Sequence, residues 1–360
     1  MKSIGNIKVI LNIVLVWITL VLLSSAFKHR FWKVMQIHSN IQDLKTNNVN
    51  RRLYPLYCKR MQGNYLRKLD NRTYNLRIIV ITFNRFKSLV RLLRSLNQAI
   101  YDGDTVKIEV WIDRSEEGVL DEAVVKTANT FSFQHGDYEV IPHFEHVGLH
   151  GQWISTWRPK RNSSEIAVIC EDDITVSIYF YKYLKYVHKK YDNHSEINGY
   201  ALQGFSMKHH LKDSSPLVGP TNSIVFLYPV IGSWGFSPSR DNWIHFQEWY
   251  SLACNDDTKD LFIPNNIASK WYIQFRRKGT HKNIWTIWHI YHAYINSEFT
   301  LYTNLPDHIG LSTNWREQGL HFKKFKGKTN ELLQVWKHEF ENLPAKPIPV
   351  DISGKVIKSY

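Results

Sequence analysis

Cysteine is scarce in this 360-residue chain, and the three present, Cys58, Cys170 and Cys254, show no CxxC spacing. That excludes a zinc site built on paired cysteines and a dithiol redox motif. At most one disulfide can form, and Cys58 with Cys254 is the candidate pair. Cys170 sits inside an apolar run and reads as a buried small hydrophobe. A glycine-rich phosphate loop is also missing: the first apolar strand ends in Thr82-Phe83-Asn84-Arg85. This counts against a nucleotidyltransferase, which shares strand-end carboxylates but needs such a loop. No internal repeat occurs. Acidic residues are outnumbered, 32 against 46 Lys and Arg, for a net charge of +14. The basic residues are scattered (Arg51-Arg52, Lys189-Lys190, Arg276-Arg277-Lys278, Lys323-Lys324), with no long arm and no nucleic-acid motif. An anionic small substrate, such as a nucleotide diphosphate, or a lipid surface fits that pattern better than nucleic acid.

Aromatic residues are abundant, at 14% with 13 Trp. Ring faces pack against the apolar C–H faces of a pyranose, although most rings in any chain serve the core. Val9 to Phe27 carries no charge over 19 residues, long enough to span a bilayer. A retained signal-anchor is the expectation; a cleaved signal peptide, with Ser24 and Ala26 near the cut, is the competitor. Sequons at Asn71, Asn162 and Asn193 agree with a luminal bulk. The expected organisation is a cytoplasmic tail over 1–8, a transmembrane helix over 9–27 and a stem over 28–75. A catalytic domain over 76–335 and a polar, Lys-rich tail over 336–360 follow. The chain is expected to be a single-pass type II protein of the Golgi or ER membrane.

From Leu76 the chain alternates. Arg77 to Asn84 is a continuous β-branched run, the mark of a strand covered on both faces. Leu89, Leu92, Leu93 and Leu96 then repeat at helical spacing. Strands follow at Val106–Asp113, Tyr138–His143 and Glu165–Glu171, with helices at Glu116–Thr130 and Gly148–Trp157 between them. Such β-α-β-α-β-α-β alternation predicts an α/β fold, a mostly parallel sheet flanked by helices. The second half is less regular. A helix over Ile178–Lys190, strands over Tyr200–Ser206 and Val225–Ile231, and aromatic-rich helices over Arg240–Leu252 and Ile284–Ile295 are expected.

In open α/β sheets ligands bind at the carboxyl ends of the strands. Here those ends present Thr82-Phe83-Asn84-Arg85, Asp113 and Glu171-Asp172-Asp173. Three adjacent carboxylates after a buried strand repel one another unless a cation is near. Hard divalent ions favour oxygen ligands and share their shell with a diphosphate. The plainer reading is a solvated turn or a helix N-cap. Asp113 can accept hydrogen bonds from a base or ribose, or be an ordinary turn aspartate. Arg85 can meet the nucleotide, or be an exposed helix arginine.

IIVITFNR with its following helix, the Asp113 strand end, AVICEDDITVSIYFYKYL and IGSWGFSPSRDNWIHFQEW resemble the GT-A glycosyltransferase fold. The nearest likeness is to the N-acetylglucosaminyltransferase I family and related family-2-like transferases, over roughly residues 76 to 325. The resemblance implies a metal-dependent glycosyltransferase of the secretory pathway. It would move a sugar from a nucleotide-sugar donor to a glycan or glycoconjugate acceptor, with a UDP-sugar favoured, UDP-GlcNAc among them, and inversion. It implies Asp173 as the ligand to Mn²⁺ or Mg²⁺, Glu171 and Asp172 on the sugar-nucleotide, and Asp113 on the uridine. Gly232, Trp234 and Gly235 would shape the sugar pocket. The late loops Asp307–Gly310 and Trp315–His321 suggest Arg316 or His321 as completing the metal or diphosphate site.

One departure matters. The family places its catalytic aspartate in a Trp-Asp-Asp-Trp-like stretch, and the matching stretch here is Trp285-Thr286-Ile287-Trp288. Threonine is no general base unaided. Asp256, Asp257, Glu248 and Asp307 are the acidic candidates for that role, which stays unassigned. The alternative is a catalytically degenerate, glycan-binding or scaffolding membrane protein that keeps the fold.

Overall fold

The computed structural model describes residues 72–256, 259–278, 284–318 and 322–358, all within one compact unit, Tyr57–Tyr360. The expected transmembrane segment over 9–27, the stem up to residue 71, Cys58 and the Asn71 sequon lie outside the described residues, as do Asp257 and His321.

Four strands open the fold: β1 (Leu76–Thr82), β2 (Val106–Ile112), β3 (Gly136–Pro142) and β4 (Ile166–Glu171). β1 pairs in parallel with both β2 and β4, and β2 with β3. Helices α1 (Phe86–Gln98), α2 (Glu122–Thr130) and α3 (Gly148–Ser155) make the crossovers. The unbroken apolar run of β1 is explained by its two faces. Ile78 and Val80 enter a core shared with α1, while Ile79 and Ile81 enter a second core shared with Trp153. The expected leucine stripe closes the first core: Leu89, Leu92, Leu93 and Leu96 are all fully buried. Each contributes about 1.5–3 kcal/mol by leaving water.

The sheet continues through β6 (Ile197–Ala201), β7 (Val225–Tyr228), β8 (Phe236–Pro238), β9 (Phe299–Thr303) and β11 (Ile348–Pro349). The strand order is β11-β7-β9-β6-β8-β4-β1-β2-β3. β8 is antiparallel to both β4 and β6, and β9 is parallel to β6. Thus β9, β6, β4, β1, β2 and β3 all point the same way. A small second sheet joins β5 (Ile174–Val176) to β10 (Ser312–Asn314). Helices α4 (Phe180–Tyr191), α5 (Arg240–Ala253), α6 (Ile267–Arg277) and α7 (Thr286–Asn296) complete the set. Among the described residues, no helix is long and apolar enough to cross a membrane.

The α/β class and the parallel four-strand opening match expectation; several boundaries do not. The helix expected from Glu116 begins at Glu122, because Gly118 (φ 82°) closes a turn onto Ser115 and Asp121 caps Val124 N at 2.9 Å. The strand expected over Tyr200–Ser206 is Ile197–Ala201, since the chain leaves the sheet at Leu202. The strand expected over Val225–Ile231 stops at Tyr228. Helix α6 had no expectation. The largest difference is the C-terminal segment. Expected as a peripheral tail, it buries Phe340 and Val350 and adds β11 to the edge of β7. Its lysines and prolines hide a sparse apolar pattern, Leu333, Trp336, Phe340 and Leu343, that packs on the core.

Candidate active site

The register of β1, β2 and β4 brings three strand ends level: Ile81 is opposite Glu171, and Thr82 opposite Ile112. The residues that follow therefore gather at one carboxyl edge. Asp172 is buried at 1% exposure, and its Oδ2 accepts the Thr82 hydroxyl at 2.6 Å. Arg85, at the mouth of α1, pairs with both aspartates: Nη2 lies 2.5 Å from Asp172 Oδ1, and Nη1 donates to Asp173 Oδ2 at 3.1 Å. The Arg85 guanidinium is therefore the partner of the buried Asp172 Oδ1. Asp173 Oδ1 accepts the Asn314 amide at 2.9 Å, and the Asp173 carbonyl accepts the Trp315 backbone N–H at 2.9 Å. Glu171 Oε1 accepts the Trp153 indole N–H at 3.0 Å, and Trp153 stacks on Trp285 with centroids 4.2 Å apart.

One arginine thus faces three carboxyl groups. The Asp172 carboxyl is pushed up to about 6, by burial first and by the neighbouring Asp173 charge, against the pull of Arg85. The Glu171 carboxyl also moves upward, from burial first and then from Asp173, against Arg85 and the Trp153 hydrogen bond. Retaining negative charge here costs stability. The helix N-cap reading fails on geometry, because the cluster is followed by strand β5 rather than a helix. The solvated-turn reading fails on the burial of Asp172.

Asp113 stands at the next strand end with its oxygens already engaged. Oδ1 accepts the backbone N–H of Arg114 and of Val147, Oδ2 accepts that of Gly148, each at 2.9 Å, and His146 Nδ1 lies 3.3 Å from Oδ2. It pins the turn that starts α3. Trp234 and Gly235 reach the cluster indirectly. Ser312 Oγ donates to the Trp234 carbonyl, and a Cβ at Gly235 (φ 83°) would press on Leu202 and Ile174. Gly232 is a packing glycine: a Cβ there would lie only 2.6 Å from the Ala201 Cβ.

The other candidates are placed apart. Glu248 is exposed on α5 and paired with Arg161 at 2.6 Å. Asp256 is exposed beyond that helix. Asp307 is exposed in a 3-10 turn after β9. Among the described residues, none of these has a hydrogen bond or ion pair to the acidic cluster. The Arg316 guanidinium binds the carbonyls of Lys326, Gly327 and Lys328, so it closes its own loop. Sequence reasoning placed Thr82 at the polar strand end without its bond to Asp172, and it missed Trp153 and Asn314. It also missed Glu317, which Arg91 pairs and Ser88 contacts at 3.0 Å, fastening the late loop to α1. Neutral side chains that arrive from distant positions leave no local signal.

A divalent cation is tested by the donor set. Among the described residues, no three His, Cys, Asp or Glu side chains converge into a closed metal cage. The oxygen-only cluster instead fits a site with one carboxylate, Asp173, completed by substrate phosphates and water.

No protein-family model and no curated protein matches the sequence. Solved structures with a partial likeness include S. aureus TarS 1–349 in complex with UDP-GlcNAc, 16% identical, covering 32% of each chain, with a TM-score of 0.25. TarS 1–349 alone is 12% identical, covering 65% of this chain and 61% of its own, with a TM-score of 0.31. The mannosyltransferase PcManGT from Pyrobaculum calidifontis in complex with GDP-Man and Mn²⁺ is 13% identical, covering 66% and 75%, with a TM-score of 0.33. The chain spans between about a third and three fifths of the length of these TarS chains. At these similarities the likenesses carry no argument, and function is read from the site.

Proposed function

We propose that this chain is a GT-A-type glycosyltransferase that takes a nucleotide-sugar donor, a UDP-sugar favoured, and transfers the sugar to a glycan or glycoconjugate. The observation that carries this reading is the pair of buried Asp172 and partly exposed Asp173 at the carboxyl end of β4, held by Arg85 and followed by a strand. Asp173 would hold Mn²⁺ or Mg²⁺ together with the donor diphosphate. The cation supplies charge neutralisation at the leaving diphosphate. Arg85 keeps the aspartates apart from bulk water and presents a guanidinium suited to phosphate oxygens. Asp113 sets the turn beside which the nucleoside lies, and Trp234 offers a stacking face for the sugar. UDP-GlcNAc and inversion follow from the sequence resemblance. Exposed sequons at Asn162 and Asn193 and the apolar run over 9–27 support a luminal, type II placement in the Golgi or ER membrane.

The test is transfer or donor hydrolysis with and without Mn²⁺, in the native chain and in Asp173→Ala. The proposal expects activity that needs the metal and falls by about 10²–10³-fold in the variant. Metal-independent activity retained in Asp173→Ala would sink it.

A second reading has its own observation. The Trp285–Trp288 stretch does reach Glu171 through the Trp153 stack, yet it carries Thr286 and Ile287 where a base is expected. A degenerate glycan-binding protein would fail to bind UDP with Mn²⁺ in calorimetry, and an enzyme would bind it.

A further inference from the structure

Asp172 and Asp173 are neighbours in sequence and opposites in access. Asp172 is 1% exposed, and both its oxygens are engaged. Oδ2 accepts the Thr82 hydroxyl at 2.6 Å, and Oδ1 lies 2.5 Å from Arg85 Nη2. Thr82 is itself buried at the end of β1. This carboxylate is therefore locked between two strand ends. The sequence resemblance implies Asp172 on the sugar-nucleotide, and its burial gives it a different task. Asp173 is partly exposed. Its Oδ1 accepts the neutral Asn314 amide at 2.9 Å, and its Oδ2 accepts Arg85 Nη1 at 3.1 Å.

Arg85 spans the two carboxylates with one flat fork, and 30% of its side chain is exposed. A guanidinium presents donors on two arms, so one arm can keep its partner while the other changes. The two arms hold unequally. Nη2 grips the buried carboxylate, where breaking the pair would leave an uncompensated buried charge. Nη1 meets the more open one at the longer distance, where water weakens the pair. The looser arm thus lies on the very residue assigned to the divalent cation. Two positive groups on one carboxylate oxygen repel each other. Asn314, being neutral, opposes no cation at the other oxygen.

We propose that Arg85 works as a one-armed exchanger. Nη2 stays on Asp172, and Nη1 passes from Asp173 to the diphosphate of a nucleotide when Asp173 turns to a divalent cation. Asp172 is then a positioning residue that holds the pivot. Guanidinium on phosphate is a charge-assisted pair of the same kind as the one given up. The exchange couples the two ligands. With Nη1 on Asp173 a cation is opposed, and a diphosphate that draws Nη1 away lifts the opposition. The inference rests on the transferase reading for the nature of both ligands.

The full chain and Arg85→Gln are titrated with Mn²⁺, read from the paramagnetic resonance of the free ion, with and without UDP. Calorimetry gives UDP affinity in the presence of Mn²⁺. Without UDP, the variant should bind Mn²⁺ about tenfold more tightly than the native chain. UDP should raise Mn²⁺ affinity less in the variant than in the native chain, and UDP affinity should fall there by about tenfold. The variant's melting temperature, lowered because Asp172 has lost its partner, should recover as Mn²⁺ is added. Arg85→Lys keeps a charge for Asp172 but has no second arm, so it repeats the Mn²⁺ titration should the glutamine variant not fold. Mn²⁺ affinity equal to or below the native value in the variants overturns the exchange. It leaves the transferase reading standing where the native chain binds UDP with Mn²⁺. An equal effect of UDP on Mn²⁺ affinity in native and variant chains also overturns the exchange. Tighter Mn²⁺ binding in the variants, with UDP ignored by every chain, keeps the contest at Asp173 and overturns the donor reading alone. Mn²⁺ bound by none of the three chains overturns both.

Discussion

The two halves of the sheet manage buried polarity in opposite ways. Around β1 to β4 the charges are kept and paired: Arg77 joins Glu109 and Glu165, and Arg85 joins Asp172 and Asp173. Around β6, β9, α5 and α7 the charges are suppressed inside an aromatic wall. His289 and His292 are buried among Trp243, Phe246 and Trp249, and burial pushes their imidazoles down to about 3 and about 4. Glu298, 3.7 Å from His292, is pushed up to about 7 by burial. One half spends its polar groups at an edge where a charged ligand can use them. The other spends aromatic area on a stiff, neutral wall. The proposed site, gripping an anion on one side and a sugar on the other, would draw on both.

That contrast can be broken from either side. The largest expected effect is Trp243→Ala, which empties a fully buried indole site in the wall. It should cost about 3–5 kcal/mol of stability in urea unfolding, while the remaining folded protein binds UDP with Mn²⁺ as before. Asp173→Ala should do the reverse, with stability nearly unchanged and transfer reduced by about 10²–10³-fold in a donor-turnover assay. Equal losses of stability and activity in both variants would erase the distinction.

Smaller effects sharpen it. The raised carboxyl of Glu298 favours the native state while protonated. That contribution is complete below the unfolded value near 4.5 and lost as pH rises through about 7. Glu298→Gln should therefore match the native chain near pH 4 and exceed it above neutrality by about 1–3 kcal/mol. Melting curves across that range check the sign. Smallest is Asp113→Asn, which leaves one of the turn's backbone N–H groups without its charged acceptor. It should cost about 1–2 kcal/mol, read by denaturant unfolding. A donor KM that rises with it would point to the nucleoside, and an unchanged KM to the turn alone.

The same contrast explains what could be read in advance. β1, α1 and the Glu171-Asp172-Asp173 corner announce themselves in local pattern: an apolar run, leucines at helical spacing, and charge at a strand end. Arg85 was visible because it follows the first strand directly. Asn314 and Trp153 were not, since each acts on a carboxylate far away in the chain and neither breaks its own local pattern. β8 and β10 are three residues each and carry no period to detect. Aromatic helices such as α7 bury residues around most of their circumference, so their facing is set by neighbours rather than by spacing. The candidate bases were chosen by residue type alone, and type does not encode position on a folded edge.

β11 has a further consequence for how the protein is made. The residues that complete the far edge of the sheet, up to the fully buried Val350, follow β7 by about 120 positions in the chain. β1 to β4 can pair as they emerge, because each crossover is local. β7 instead waits on that side for a partner made long after it. Until then its rim stays open, a natural target for chaperones during synthesis.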